Sequence, residues 1–439
     1  MFENYTPLLE KLHISALNPM QEKALETIKA KDGVVLISPT GSGKTLAFLL
    51  PCIQLLKQGQ HQIQLLIVVP SRELAIQTEQ VFKKMGTGFK VSTCYGGHAV
   101  GIEENNLIEP PAVLIGTPGR IGHHIRTGAV NLEHTHMLVL DEFDKSLEAG
   151  FDEDMTQIIK RCHHLKKRIL TSATVGEEIP SFVGLQHPVQ LNFSHESETT
   201  KASLKVKSVR VAGDDKLEAL MLLLGKAAQQ SAIVFCNHRE AVDRISQQLR
   251  EFKIGHGVYH GGMEQPDREK TLIRLRNQSV RLLVATDLAA RGLDIPEIET
   301  IIHYQLPMTE DSMIHRNGRT ARMQASGTVY FLLDQDDHLP KFLDMVPEEE
   351  QLPRNFVVPP PSDWDTLYIS AGKKDKVNKT DIVGMLIQKG KLAKEEIGRI
   401  EVLDHVAYVA VKRIRANAVL QLVKGEKVKN LKVKIDRAS

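Results

Sequence analysis

Short apolar runs that end in turn or polar residues recur along the chain. Val34-Val35-Leu36-Ile37, Leu65 to Val69, Val113-Leu114-Ile115, Met137 to Leu140 and Arg168-Ile169-Leu170 each read as a buried strand. Stretches with helical spacing, such as Thr45 to Lys57 and Arg72 to Met85, separate them. Strand alternating with helix predicts an α/β domain on a parallel sheet. The same grammar restarts at Ala232 to Phe235 and runs through Val258-Tyr259, Leu282-Leu283-Val284, Ile301-Ile302 and Val329 to Leu332, which predicts a second α/β domain.

Two breaks divide the chain. Ser194 to Ser203 is polar and lacks apolar periodicity, as a linker does. Pro353 to Ser362 contains Pro359-Pro360-Pro361, which enforces an extended spacer. The domains expected are 1–193, 204–352 and 364–439, with linkers at 194–203 and 353–363. In the third, a strand (Thr366 to Ser370), a Lys-rich loop, a helix (Lys379 to Gln388), strands near Gly398 to Val402 and Ala407 to Val411, a helix (Ala416 to Leu422) and a last strand (Leu431 to Ile435) spell β-α-β-β-α-β, the order of an RNA-recognition-type fold. Tyr408 is there as readily core as a base-stacking platform.

A length of 439 residues suits two or three cores, and 42% hydrophobic against 25% charged residues is the balance of a soluble globular protein. Net charge is only +2, but the 76 residues from Trp364 carry 17 Lys+Arg against 9 Asp+Glu, which leaves the rest of the chain at −6. A polyanion partner is therefore expected at the tail. The four cysteines are scattered, which argues for a reducing cytosol and against a Cys-x-x-Cys site. His123-His124 and His163-His164 are read as solvated pairs, and no structural metal is expected. No basic and apolar leader opens the sequence, and no apolar run nears the ~18 residues of a membrane span, so a cytoplasmic protein with no membrane partner is expected.

The strand at Val34 to Ile37 runs into Ser38-Pro39-Thr40-Gly41-Ser42-Gly43-Lys44-Thr45 and then a helix. Glycines there let backbone N–H groups close on phosphate oxygens, Lys44 adds charge to the β and γ phosphates, and Thr45 can ligate Mg²⁺. Ser38 stands where the general motif has Gly. Hydrolysis also needs a metal carboxylate and an activated water. Met137 to Leu140 delivers Asp141-Glu142-Phe143-Asp144, with Asp141 for the metal, through water or directly, and Glu142 for the water.

Gly-Ser-Gly-Lys-Thr, Asp-Glu-x-Asp and Ser172-Ala173-Thr174 in this order resemble the DEAD-box RNA helicases, and the resemblance covers nearly the whole chain. It implies two tandem RecA-like parallel-sheet domains plus a small α+β RRM-like domain, and an RNA-stimulated ATPase that separates a few base pairs locally. Cofactor contacts would come from Gln21, which reads adenine, from Thr40, Gly41, Ser42, Gly43, Lys44 and Thr45, and from Asp294 on the ribose. Phe2 is the nearest equivalent of an aromatic that stacks on the base. Arg319 and Arg322 would act as arginine fingers, with His315 of the same block a further catalytic residue, while Asp144, Ser172 and Thr174 would couple hydrolysis to unwinding. RNA contacts would come from Pro70, Arg72, Gly97, Thr117, Gly119 and Arg120 in the first domain, and from Asn237, Gly262, Arg268, Thr286 and Asp287 in the second. Phe143, Asn317 and Ala321 depart from the family's usual Ala, Ile and Gly without deleting a charged group.

Tyr368-Ile369-Ser370-Ala371-Gly372-Lys373-Lys374-Asp375-Lys376, Thr380-Asp381-Ile382-Val383-Gly384 and His405-Val406-Ala407-Tyr408-Val409 resemble the tail of the DbpA subgroup. That implies a structured hairpin of large-subunit ribosomal RNA as target, maturing pre-ribosomal particles as setting, and a monomer. Lys373, Lys374, Lys376, Lys412, Arg413 and Arg415 are the expected phosphate contacts. Three alternatives remain, a general RNA helicase or chaperone without ribosomal RNA specificity, a non-catalytic ATP-dependent RNA clamp and a DNA-directed helicase; retention of Glu142, Arg319 and Arg322 speaks against the clamp.

Overall fold

The computed structural model describes residues 5–39, 41–97, 100–174, 178–194, 204–211, 216–290, 295–296, 298–320, 326–343, 345–429 and 431–438. Phe2, Thr40, Asp294, Ala321, Arg322 and linker residues 195–203 lie outside the described residues. The chain divides into two compact units that part near residue 202.

Unit 1 holds a seven-stranded parallel sheet of β1 (Gly33–Ile37), β2 (Leu65–Val68), β3 (Val91–Cys94), β4 (Val113–Gly116), β5 (Met137–Leu140), β6 (Lys167–Ser172) and β7 (Val189–Asn192), ordered β3-β4-β2-β5-β6-β1-β7. The central strands are apolar on both faces because helices cover both, and two core clusters lie on the two sides. The helix Arg72–Met85 has the bounds its periodicity predicted, capped by Ser71, whose Oγ accepts from Leu74 N at 3.2 Å. Strands β3 and β7 escaped the sequence reading. Their burial alternates or is partial, so no continuous apolar run marks them.

Unit 2 opens with a second parallel sheet of β8 (Leu204–Arg210), β9 (Ala232–Phe235), β10 (His256–Tyr259), β11 (Leu282–Ala285), β12 (Thr300–His303), β13 (Gly327–Leu333) and β14 (Glu348–Glu349). Its order, β10-β11-β9-β12-β13-β8-β14, repeats the first sheet strand for strand. The shared grammar of the two halves is thus a shared topology. Strand β8 was also missed, since Leu204-Lys205-Val206-Lys207 alternates apolar with charged residues.

The tail is a four-stranded antiparallel sheet in the order β16-β17-β15-β18, with β15 at Trp364–Ile369, β16 at Ile397–Val402, β17 at Ala407–Lys412 and β18 at Ile435–Arg437. Helices Lys379–Gln388 and Arg413–Leu422 pack on one face around Leu367, Ile382, Leu386, Val409 and Val419. The expected last strand, Leu431 to Ile435, is corrected. Leu431–Lys432 pairs instead with Lys427–Val428 in a small hairpin, and the strand that joins the sheet beside β15 begins at Ile435. The spacer before the tail is packed: Phe356 meets Phe252 edge-on at 5.7 Å, and a Cβ on Gly225 would lie 2.7 Å from Val357 O.

Candidate active site and RNA-contact segments

In an open parallel sheet, chemistry collects where the strands end. The strand order sets β5, β6 and β1 side by side, so their carboxyl ends deliver 141–144, 172–174 and the loop after Ile37 to one edge of unit 1. Gly41 (φ 87°) and Gly43 (φ 91°) take the left-handed conformation that lets this loop turn into the helix Lys44–Leu55. Gly43 is doubly required, because a Cβ there would lie 2.4 Å from Gln21 Nε2. The buried Lys44 ammonium donates to the carbonyls of Ser38 and Pro39, and Thr45 follows it in the helix's first turn.

Gln21 braces this loop. Its Oε1 accepts from Asn18 N at 3.1 Å, its Nε2 donates to Gly43 O at 3.3 Å, and Asn18 Nδ2 donates to Ser42 O at 3.0 Å. A primary amide has two N–H groups and two lone pairs, so these bonds use half of its capacity.

Asp141, Glu142 and Asp144 are all buried. Burial, and then the charge of Glu142, push the Asp141 carboxyl up to about 6, against the pull of Thr171 and Lys44. Glu142 sits in the left-handed region (φ 47°, ψ 52°), which costs a non-glycine residue about 1–3 kcal/mol and must be held by its surroundings. Thr171 does the holding: its Oγ1 accepts from Glu142 N at 3.1 Å and donates to Asp141 Oδ1. The sequence reading passed over Thr171, since a strand threonine one place before Ser172 carries no motif.

Ser172 and Thr174 do meet the acid cluster. Thr174 N donates to Ser172 Oγ at 3.0 Å, Thr174 Oγ1 donates to Asp144 Oδ2 at 3.4 Å, and Ser38 N donates to Ser172 O at 3.1 Å, which ties the phosphate loop to the same strand end. The buried Lys145 ammonium lies 3.7 Å from Asp144. Among the described residues, Glu142 Oε2 and Asp144 Oδ1 are buried with no hydrogen-bond partner. Such orphaned acceptors beside oxygen donors suit a hard divalent cation and ordered water. Phe143 turns away into the core around Leu138, Leu140 and Leu170.

The expected RNA segments of unit 1 come together. Pro70 precedes the helix that begins at Arg72, and Arg72 Nη1 donates to Gly97 O at 3.3 Å while its guanidinium stands 4.8 Å from the Tyr95 ring centre. Gly97 (φ 78°) has room for little else, since a Cβ would meet Arg72 Nη1 at 3.1 Å. Thr117 N donates to Cys94 O at 3.0 Å and starts the helix Pro118–Arg126, placing Gly119 against Asp154 and Arg120 Nε 2.7 Å from Glu103. The reading of His123-His124 as a solvated pair is corrected for His124. The helix turns His124 to the core side with Ile121, and it is fully buried against Glu103 at 2.6 Å.

In unit 2, the fully buried Arg316 organises the strand ends. Its Nε pairs with Asp287, its Nη2 donates to Asn237 Oδ1 at 2.7 Å and its Nη1 donates to Gln305 O at 2.9 Å. Asp287 and Asn237, read as RNA contacts, are thus tied to Arg316, which the sequence reading did not select. Thr286 N donates to Tyr259 O at 3.2 Å and Gly262 N to His260 Nδ1 at 3.1 Å, while Arg268 lies in the helix Gln265–Arg276. His315 is buried 3.4 Å from Asp311, and Arg319 is buried in the turn that follows the helix Glu310–Asn317.

The tail resolves Tyr408. It pairs across the sheet with Tyr368, ring to ring at 5.7 Å, and is buried with Ile273 of the helix Gln265–Arg276. This face of the sheet therefore rests on the preceding domain, and Tyr408 is core. Around it Arg276 grips Glu401 through two 2.8 Å bonds, and Thr366 meets Ser279 at 2.7 Å. Arg413, expected to reach phosphate, bonds Ser362 O and Trp364 O and lies 3.2 Å from Asp365. Lys412 stands 4.3 Å over the Trp364 ring, and Arg415 donates to Lys391 O. Lys373, Lys374 and Lys376 are exposed on their loop.

Three family descriptions match the chain in succession: DEAD/DEAH box helicase over residues 18–182, helicase conserved C-terminal domain over 215–324, and DbpA RNA binding domain over 366–437. The chain is 31% identical to the ATP-dependent RNA helicase DbpA of Escherichia coli, over 96% of this chain and 94% of that one. It is 28% identical to the protein of the same name in Bacillus subtilis, over 98% and 96%. Its fold is that of Saccharomyces cerevisiae Dbp5, solved bound to RNA and ADP BeF3, with a TM-score of 0.67 at 22% identity over 78% of this chain and 93% of that one. Matched from the phosphate loop to the last strand, the chain belongs to the DbpA-like DEAD-box ATP-dependent RNA helicases, and is an RNA-stimulated ATPase.

Proposed function

We propose that the tail targets this helicase to structured large-subunit ribosomal RNA, and that it remodels short duplexes there, as a cytoplasmic monomer, while the ribosomal particle matures. The observation that carries the proposal is the exposed Lys373, Lys374 and Lys376 loop on the domain that matches the DbpA RNA binding domain. Three lysines on one loop suit the closely spaced phosphates of folded RNA.

Within the ATPase, Lys44 takes the β and γ phosphates and Glu142 orients and deprotonates the attacking water. Asp141 and Thr45 would hold Mg²⁺, which neutralises phosphate charge when bound. Gln21 reads adenine, Asp294 the ribose, and Arg319 and Arg322 supply charge to the transferred phosphoryl group. Arg72, Thr117 and Arg120 bind the RNA backbone, which lets the core act without reading sequence.

The test is steady-state ATP hydrolysis with no RNA, with an unstructured RNA and with total ribosomal RNA. It compares the full chain with a variant carrying Lys373→Gln, Lys374→Gln and Lys376→Gln. Substitution serves better than removing the tail, which would bare Ile273 and unpair Arg276. Preferential stimulation by ribosomal RNA that the variant loses supports the proposal. Equal stimulation by every RNA leaves a general helicase instead. A Glu142→Gln protein with unchanged turnover would point to an ATP-dependent clamp.

A further inference from the structure

Glu103 belongs to none of the motifs assigned above, yet it is among the most deeply buried charged side chains in unit 1, with 1% of its surface exposed. A carboxylate at that depth survives only when its lone pairs are filled. Its Oε1 accepts from Tyr95 N at 3.0 Å, and its Oε2 takes both Arg120 Nε at 2.7 Å and His124 Nε2 at 2.6 Å. Each partner leads to an RNA segment. Tyr95 carries Arg72 over its ring and precedes the Gly96-Gly97 turn whose carbonyl Arg72 also reaches, while Arg120 and His124 belong to the helix that starts after Thr117.

We infer that Glu103 is the positioning residue of the RNA grip in unit 1. By fixing Arg120 directly and Arg72 through Tyr95, it holds two guanidinium groups from separate helices in one arrangement before RNA arrives. An arginine locked in place in advance loses less rotamer freedom when it meets phosphate. Cys94, Glu103 and His124 also lie close enough to one another to ligate a cation, each offering an atom within 4.8 Å of the others. The guanidinium already seated on Glu103 argues against that use. So does the Cys94 thiol, which burial and then the Glu103 charge push up to about 12.

The inference rests on reading Arg120 as an RNA contact, and the test separates the two. The affinity of the full chain for a fluorescent oligouridine, under a saturating non-hydrolysable ATP analogue, is measured for Glu103→Gln, Arg120→Ala, their double mutant and Arg120→Lys. Glu103→Gln and Arg120→Ala should each weaken RNA binding by roughly ten-fold. The double mutant should fall below Arg120→Ala alone by less than the full Glu103→Gln factor, because the Arg120 share of that loss is already gone and only the Arg72 share remains. Arg120→Lys keeps the charge but loses the Nε bond, and should behave like the alanine variant. Affinity for the analogue itself should be retained in all four. If Arg120→Ala weakens binding while Glu103→Gln does not, or if the two losses multiply, Glu103 is not the positioning residue. Wild-type affinity in Arg120→Lys overturns the inference even should Glu103→Gln fail to fold. If Arg120→Ala leaves binding intact, the RNA reading of Arg120 fails and this inference goes with it.

Discussion

His303 Nε2 lies 2.9 Å from Asn317 Oδ1, so the asparagine that departs from the family pattern has its partner at the end of strand β12. His303 Nδ1 faces Arg316 Nη1 at 3.4 Å, and the ring stacks on Phe331 with centres 4.6 Å apart. The network assigns a neutral imidazole that donates from Nε2 to Asn317 and accepts from Arg316 at Nδ1. Replacing Asn317 by Leu strands a buried N–H donor, a loss of about 1–3 kcal/mol. Urea unfolding of unit 2, followed by an intrinsic or attached probe, should show a lower midpoint for Asn317→Leu. An unchanged midpoint would mean that water or another group satisfies His303.

The same imidazole makes unit 2 sensitive to acid. Burial, and then the neighbouring Arg316 charge, depress the His303 pKa from 6.5 to about 3. The unfolded chain therefore binds a proton that the folded one refuses between those values, and stability rises with pH across that window. Above about 6.5 the full stability is present, and it is lost as pH falls toward 3, at up to about 1.4 kcal/mol per pH unit from this one group. The difference between wild type and His303→Asn, measured at pH 5, 6 and 7, isolates the term. Parallel stability curves for the two proteins would show that His303 titrates alike in the folded and unfolded states.

Thr171 should matter to turnover more than to binding. It holds Glu142 in a conformation that an L-residue avoids and donates to Asp141, both without exposure to solvent. Thr171→Val keeps the shape and removes the hydroxyl. A lost hydrogen bond to a charged group, about 1.5–3 kcal/mol, converts to a fall in kcat of roughly ten-fold or more. KM for ATP should move little, and Thr171→Ser should restore most of the rate. A valine enzyme with normal kcat would show that Glu142 is held by its helix alone.

The tail should be coupled to the domain before it. Arg276 and Glu401 form a two-bond pair with both side chains largely shielded, beside the Ile273 and Tyr408 contact. A double-mutant cycle with Arg276→Ala and Glu401→Ala, read by thermal unfolding of the full chain, should give a coupling of about 0.5–3 kcal/mol. Strictly additive effects would mean that the pair is satisfied by solvent in the folded protein.

The phosphate loop, the acid pair and the helix Arg72–Met85 were readable because each is a local device. Backbone N–H groups at a helix start need glycines in a row, and a buried amphipathic helix needs apolar residues at its own period. The pattern of the two halves was legible for the same reason. Strands β3, β7 and β8 were not, because half of each strand's side chains point away from the core and its apolar signal is broken.

The sequence by itself determined the candidate groups, Lys44, Asp141, Glu142 and the tail's lysines, together with the alternation of strand and helix that could carry them. Only the tertiary structure decided which groups hold these in place. Glu103, Thr171 and Arg316 touch partners 8 to 79 residues away, and Tyr408 joins the core only because Ile273 packs on its sheet face. A burial or a hydrogen bond between distant segments depends on strand order and on which faces meet, and neither is set by the period of any single segment.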